Sequence, residues 1–223
     1  MILAAGRGER MRPLTDATPK PLLAVGGRAL IDYHLEALAR AGIHEVVINL
    51  AWLGDRIRAH VGDGSAFGLS VAYSDEGDTA LETAGGIVNA LPLLGDDPFL
   101  VVNADIHCDC PLGALALPAG RLAHLVLVDN PPWHAAGDFA LAPGGAIADA
   151  GDTRLTYSGI GVYHPQLFAG LGAGIVPLAP LLRAAARDGR VSGEHFRGAW
   201  HDVGTPQRLR ALDRALREPQ RDH

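Results

Sequence analysis

The residues best suited to chemistry stand near the start of the chain. Gly6-Arg7-Gly8-Glu9-Arg10 follows a short apolar run, 1–5, and Arg12 and Lys20 come soon after. A strand that opens into a Gly-x-Gly loop can lay backbone N–H groups against phosphate oxygens. Arg7, Arg10, Arg12 and Lys20 meet only two acids in that stretch, Glu9 and Asp16. Such a local positive patch suits a small polyanion such as a triphosphate. Lys20 is the single lysine among 19 basic residues. An ammonium and a guanidinium are not interchangeable, so the position of that lysine decides whether it has a task.

The loop is not a Walker loop, because Gly-Lys-[Ser/Thr] is absent. It is not a dinucleotide fingerprint either, since the run Gly6 to Met11 lacks the third glycine. Alone it would read as a tight turn. Two acids stand where they could join it. Asp105 follows the apolar run 99–103, and Asp202 lies in Trp200-His201-Asp202-Val203-Gly204-Thr205. An acid at the carboxyl end of a strand can reach the mouth of a sheet, although Asp105 by itself reads as a turn aspartate. Thr205 and Pro206 also read as an N-cap and first helical position.

Elements that would position these residues alternate through the first two-thirds of the chain. Strands are expected over 1–5, 45–49, 69–73, 99–103 and 122–128. Helices are expected over 29–41 and 52–61, and from a Thr83 cap to about Leu91, where Pro92 ends the last. This order predicts an α/β fold with a Rossmann-like, doubly wound, mainly parallel central sheet. Ligands then bind beyond the carboxyl ends of the strands, where Gly6–Arg12 and Asn103–Asp109 fall. Short alternating runs over 129–163 predict a small antiparallel excursion, a lid over an acceptor. A helix over 180–188, one or two strands over 195–202 and an amphipathic helix over 205–217 complete the chain, read as one domain over 1–223.

Composition excludes several classes. Net charge is −6 and most basic residues are scattered, so no nucleic-acid partner is expected. No apolar run is long enough to span a bilayer, and the start is too short for a signal peptide, so the expected location is cytoplasmic. Cys108 and Cys110 are spaced too tightly for an ordinary disulfide. Even with His107 and Asp109 they lack the paired spacing of a zinc site. They read as reduced thiols near a strand end.

The extended string is more specific than the loop. Leu3-Ala4-Ala5-Gly6-Arg7-Gly8-Glu9-Arg10-Met11-Arg12-Pro13-Leu14-Thr15, followed by Pro19-Lys20-Pro21-Leu22, resembles the sugar-1-phosphate nucleotidyltransferase family. That family has Thr or Ser where this chain has Glu9. The resemblance implies an enzyme of the nucleotide-diphospho-sugar transferase fold. It implies that Leu3, Ala4, Ala5, Gly6 and Gly8 hold the nucleotide, that Arg10 steadies the triphosphate, and that Lys20 contacts the phosphate at the reacting centre. Asn103 would join them, with Asp105 and Asp202 as ligands of Mg²⁺. Leu81-Glu82-Thr83-Ala84-Gly85 would lie against the base, with Glu82 reading its edge and Gly85 permitting its approach. Two glycines in a first helical turn need such a reason.

On the acceptor side Gly137, Asp138, Gly159 and Glu194 lie in expected loops that could contact a sugar phosphate. The family's Glu-Lys-Pro contact has no counterpart here. The implied division is a nucleotide part over 1–128, a sugar-phosphate part over 129–204 and a last helix over 205–217. The expected partners are a nucleoside triphosphate and a sugar 1-phosphate, with the chain a monomer. Ala51-Trp52-Leu53-Gly54, Glu82-Thr83, the run 124–131 and Ser192-Gly193-Glu194-His195 narrow the resemblance to a uridylyltransferase branch that uses UTP in peptidoglycan recycling. A mannose-1-phosphate guanylyltransferase is the nearest rival, and a non-catalytic nucleotide-sugar sensor the next.

Overall fold

The computed structural model describes residues 1–77, 79–149, 151 and 153–218. The strands are β1 (Ile2–Leu3), β2 (Ala24–Val25), β3 (Arg28–Ala29), β4 (Glu45–Leu50), β5 (Ser70–Asp75), β6 (Phe99–Asn103), β7 (Ile106–Cys108), β8 (Ala123–Val128), β9 (Phe139–Leu141), β10 (Ile147–Ala148), β11 (Arg154–Tyr163), β12 (Val191–His195) and β13 (Trp200–Asp202). The helices are α1 (Leu14–Ala17), α2 (Leu30–Arg40), α3 (Gly54–Val61), α4 (Glu82–Leu94), α5 (Leu178–Arg187) and α6 (Pro206–Arg217).

The central sheet runs β5-β4-β1-β6-β11-β8-β12. Only β11 is antiparallel to its neighbours in that row. Side chains that alternate along each strand feed opposite faces. Val46, Ile48 and Leu50 of β4 pack with Ile31, Leu35, Leu38 and Ile57 of α2 and α3. Val47 joins Val101, Leu125 and Leu127 against Ile87 of α4 and Leu182 of α5. The expected mainly parallel, two-sided sheet is therefore the observed one. Chain order reverses at β1, which lies between β4 and β6, and Leu3 stands in register with Asn49 and Asn103. A crevice opens at the carboxyl ends there, as such sheets require.

Two expectations need correction. The run 156–163 is not part of a detached excursion. As β11 it enters the main sheet between β6 and β8, because Ser158 to Tyr163 is buried throughout. A strand covered on both faces belongs inside a sheet. Only β9 and β10, with the first residues of β11, form the small antiparallel part. Helix α4 does not stop at Pro92. It starts at Glu82 after Leu81, runs through Pro92 and ends at Gly95, whose N–H bonds the Leu91 carbonyl. A proline removes one N–H donor, a small loss in a last turn whose cap is otherwise satisfied.

His34 of α2 is buried against β7, and its Nε2 has no partner among the described residues. Burial pushes its pKa from 6.5 down to about 4. The unfolded chain thus binds a proton that the folded chain refuses. Stability is full above pH 6.5 and falls as pH drops toward 4. Urea titrations at pH 7 and pH 4.5 should differ by about 2–3 kcal/mol from this group. His34→Leu should flatten that difference; an unchanged slope would remove His34 from the account.

Candidate active site

The first loop leaves β1 and turns at Gly8, whose φ of 68° is left-handed. Its carbonyl accepts from Met11 N–H at 2.9 Å and from Thr15 Oγ1 at 2.8 Å. The loop is thereby closed onto α1. Trp52 Nε1 donates to the Thr15 carbonyl at 3.0 Å, and the Arg7 guanidinium stacks 4.5 Å over the Trp52 ring. Lys20 passes beneath the turn and is 8% exposed. Its Nζ lies 2.5 Å from Asp105 Oδ2, across 85 residues of sequence. Asp105 stands just beyond β6, so the lone lysine and the strand-end acid meet at the sheet's mouth.

A cleft of about 440 Å³ opens beside this contact. Leu3, Ala4, Ala5, Gly6, Gly8, Arg10, Lys20, Glu82, Asn103 and Asp105 all line it. A second hollow of about 370 Å³ adjoins it and shares Arg10, Asn103 and Asp105. Its further walls include Gly159, Trp133, His134, Tyr157, Trp200 and Asp202. The two spaces therefore meet over one acid, one amide and one arginine. The Tyr157 hydroxyl does not face the hollow: it lies 2.7 Å from the Tyr163 hydroxyl in the core, and burial raises its pKa well above the ordinary phenol value.

Asp202 comes from β13, which pairs Ile106 of β7. Its Oδ2 accepts from Arg208 Nη1 at 2.7 Å, and the Arg208 guanidinium lies 4.3 Å over Trp133. Thr205 caps α6 by accepting from Arg208 N–H at 3.3 Å, with Pro206 at the first helical position, as the sequence suggests. Each of the two carboxylates thus gives Oδ2 to a basic neighbour, and among the described residues neither Oδ1 accepts a hydrogen bond. That donor set fits a hard cation, which takes carboxylate oxygen together with phosphate and water. No group of three His, Cys, Asp or Glu side chains gathers for a metal among the described residues, so such a cation would take its other ligands from phosphate and water.

Four expected site residues lie outside both spaces. Gly85 is buried in α4, where a Cβ would come within 2.2 Å of the Gly174 carbonyl and 3.2 Å of Val176 N. Its missing side chain admits a backbone segment, not a base. Gly137, with φ 61°, packs against Arg154 and Asn130. Asp138 supports the wall from behind: Oδ1 lies 3.0 Å from His134 Nε2 and Oδ2 accepts from Tyr157 N–H at 2.8 Å. Glu194 is not in a loop but in β12, exposed, with Oε2 3.5 Å from His124 Nε2. The sequence reading overlooked Asn49, Glu76 and Arg208. Asn49 and Asp75-Glu76 close the parallel strands β4 and β5, so the strand-end rule that selected Asp105 would have found the first two.

The family model described as Nucleotidyl transferase matches residues 1–139. The chain is 54% identical over 218 residues to N-acetylmuramate alpha-1-phosphate uridylyltransferase of Neisseria meningitidis serogroup B, with 94% of each chain covered. The chain belongs to the nucleotidyl transferase family. This nucleotidyltransferase is also 38% identical over 233 residues to the Caulobacter vibrioides protein of the same name, covering 98% of this chain and 96% of that one. Solved structures share the fold at low identity. A Bacillus anthracis protein described as a glucose-1-phosphate thymidylyltransferase superposes with TM-score 0.83 at 20% identity, over 100% of this chain and 96% of that one. A UDP-glucose pyrophosphorylase complexed with UDP-glucose gives 0.76 at 19%, with 96% of each covered. Among the described residues no helix is long and apolar enough to cross a membrane.

Proposed function

We propose that this nucleotidyltransferase transfers a uridylyl group from UTP to N-acetylmuramate α-1-phosphate, releasing pyrophosphate. It would act as a monomer in the cytoplasm and serve peptidoglycan recycling. The observation that carries the reading is the junction of the two spaces at Asp105, the residue that Lys20 Nζ contacts. One space would hold the triphosphate and the other the sugar phosphate. The choice of uridine and of N-acetylmuramate rests on the two similar proteins that bear that name. Residues 1–128 would supply most of the nucleotide site, 129–204 most of the acceptor site, and the whole chain would work as one domain.

The reaction is an in-line displacement. A phosphate oxygen of the acceptor bonds to the α-phosphorus as the bond to pyrophosphate breaks. An ionised phosphate needs no general base, so positioning and charge neutralisation do the catalysis. Lys20 holds its ammonium at the junction and Arg10, which lines both spaces, faces the departing pyrophosphate. Asp105 and Asp202 would hold Mg²⁺, which neutralises charge developing on phosphate oxygens. Asp138 orders His134 and the Tyr157 backbone on the acceptor wall.

The test is pyrophosphate release from UTP, GTP, CTP and ATP, each with N-acetylmuramate, N-acetylglucosamine, glucose and mannose 1-phosphates. UTP with N-acetylmuramate 1-phosphate should give the highest kcat/KM. Turnover confined to GTP and mannose 1-phosphate would sink the reading in favour of a guanylyltransferase. No turnover with any pair would favour a sensor.

A further inference from the structure

The nucleotide cleft has two walls from distant parts of the chain: the exit of β1 and the segment that enters α4. Two side chains tie them together. The Ala4 N–H donates to Asn49 Oδ1 at 2.7 Å. Asn49 Nδ2 donates to Glu76 Oε1 at 2.6 Å, and Leu81 N–H donates to Glu76 Oε2 at 2.7 Å. Asn49 is 3% exposed, and Glu76 lines the cleft. Both oxygens of Glu76 accept. A glutamine amide offers one acceptor and one donor group, so it cannot meet both N–H groups.

Two further observations bear on the same link. Gly86 faces it from α4: a Cβ there would lie 2.4 Å from Glu76 Oε1 and 2.9 Å from Asn49 Nδ2. Helix interiors disfavour glycine relative to alanine, so this position gives up helix stability to leave room for the pair. Glu82, one residue beyond the pinned Leu81, has φ 57°. A non-glycine residue in that region is strained and persists only where its surroundings over-determine it. Leu81 is held at both ends, by N–H to Glu76 and by its carbonyl accepting from Val176 N–H at 3.0 Å. Glu82 is thereby held on the wall of the cleft it lines.

We propose that Asn49 and Glu76 form a positioning strut that holds Leu81 and the left-handed Glu82 against the nucleotide, and so sets which nucleobase the cleft accepts. The strut touches no reacting atom. It acts on the donor nucleotide and leaves the sugar phosphate alone. The proposal rests on the reading of this cleft as the triphosphate site.

Two variants test it by different routes. Glu76→Gln breaks one bond of the strut. Gly86→Ala pushes the Glu76 carboxylate aside while improving helix propensity. Calorimetric Kd values for UTP, CTP, GTP and ATP, with KM and kcat for both substrates, should show UTP affinity down tenfold or more in each variant. Preference for UTP over the other three should shrink. KM for the sugar 1-phosphate should stay within twofold, and Gly86→Ala should melt no lower than the parent. If Glu76→Gln fails to fold, Gly86→Ala carries the same test. Unchanged UTP affinity and preference, or equal weakening of all four triphosphates, would overturn the strut alone. A parent protein that binds no triphosphate would overturn the nucleotide cleft and the strut with it.

Discussion

Lys20→Met should lower kcat by about 10²–10³ and leave the melting profile recognisably that of the parent. The side chain is almost wholly buried, yet it lines the first cleft and its ammonium meets Asp105, which lines both. Burial of a lysine is unusual unless its charge has a partner, and Asp105 is that partner at 2.5 Å. An ammonium carries three donors; one meets Asp105, and the others are available to phosphate oxygens. Lys20→Arg should not restore the rate. The stem runs under Gly8, where even a Cβ on that glycine would stand 3.3 Å from Lys20 Cβ, and a planar guanidinium is larger and differently shaped. Steady-state pyrophosphate release, with circular-dichroism melting as control, gives the answer. A Lys20→Met enzyme within threefold of the parent would assign the lysine to structure alone.

The other large effect is expected at Asp105. Asp105→Asn should cut turnover to less than about 1% of the parent at any Mg²⁺ concentration, because it removes a hard anionic oxygen at the point where both clefts meet. It also leaves the Lys20 ammonium beside an amide. Asp202→Asn differs in kind, since it releases Arg208 from a half-buried pair. It should raise the Mg²⁺ needed for half-maximal rate and retain part of the maximum. A Mg²⁺ titration of rate separates the two. Full activity of Asp105→Asn would remove that residue from the proposed Mg²⁺ ligands.

Much of this site is legible in the chain because its chemistry is local. The first loop carries its glycines and arginines within a few residues, and Lys20 is conspicuous as the single lysine. Asp105 follows an apolar strand, and parallel sheets bring such strand ends to one edge. Residues whose work depends on a partner far away were harder to read. Gly85 and Gly86 look alike in sequence. In the fold one accommodates the backbone of 174–176 and the other clears the Asn49–Glu76 pair. Asp138 and Glu194 resemble substrate ligands as isolated acids. Their neighbours show one to be a support for His134 and Tyr157 and the other a side chain exposed on β12.

The same division holds for the architecture. Amphipathic periodicity and apolar runs by themselves determined the alternating strands and helices and the mainly parallel sheet, because each face must be buried locally at the period of its own element. They could not place β11, since a buried run reads alike in either direction and in any position of a sheet. Only the tertiary structure put it between β6 and β8, where its bonds to both strands set one wall of the second hollow. Likewise the sequence determined that a lysine and two carboxylates were available for phosphate chemistry. Tertiary packing decided that Lys20 and Asp105 touch, because hydrogen bonds act over about 3 Å and only folding closes the 85 residues between them.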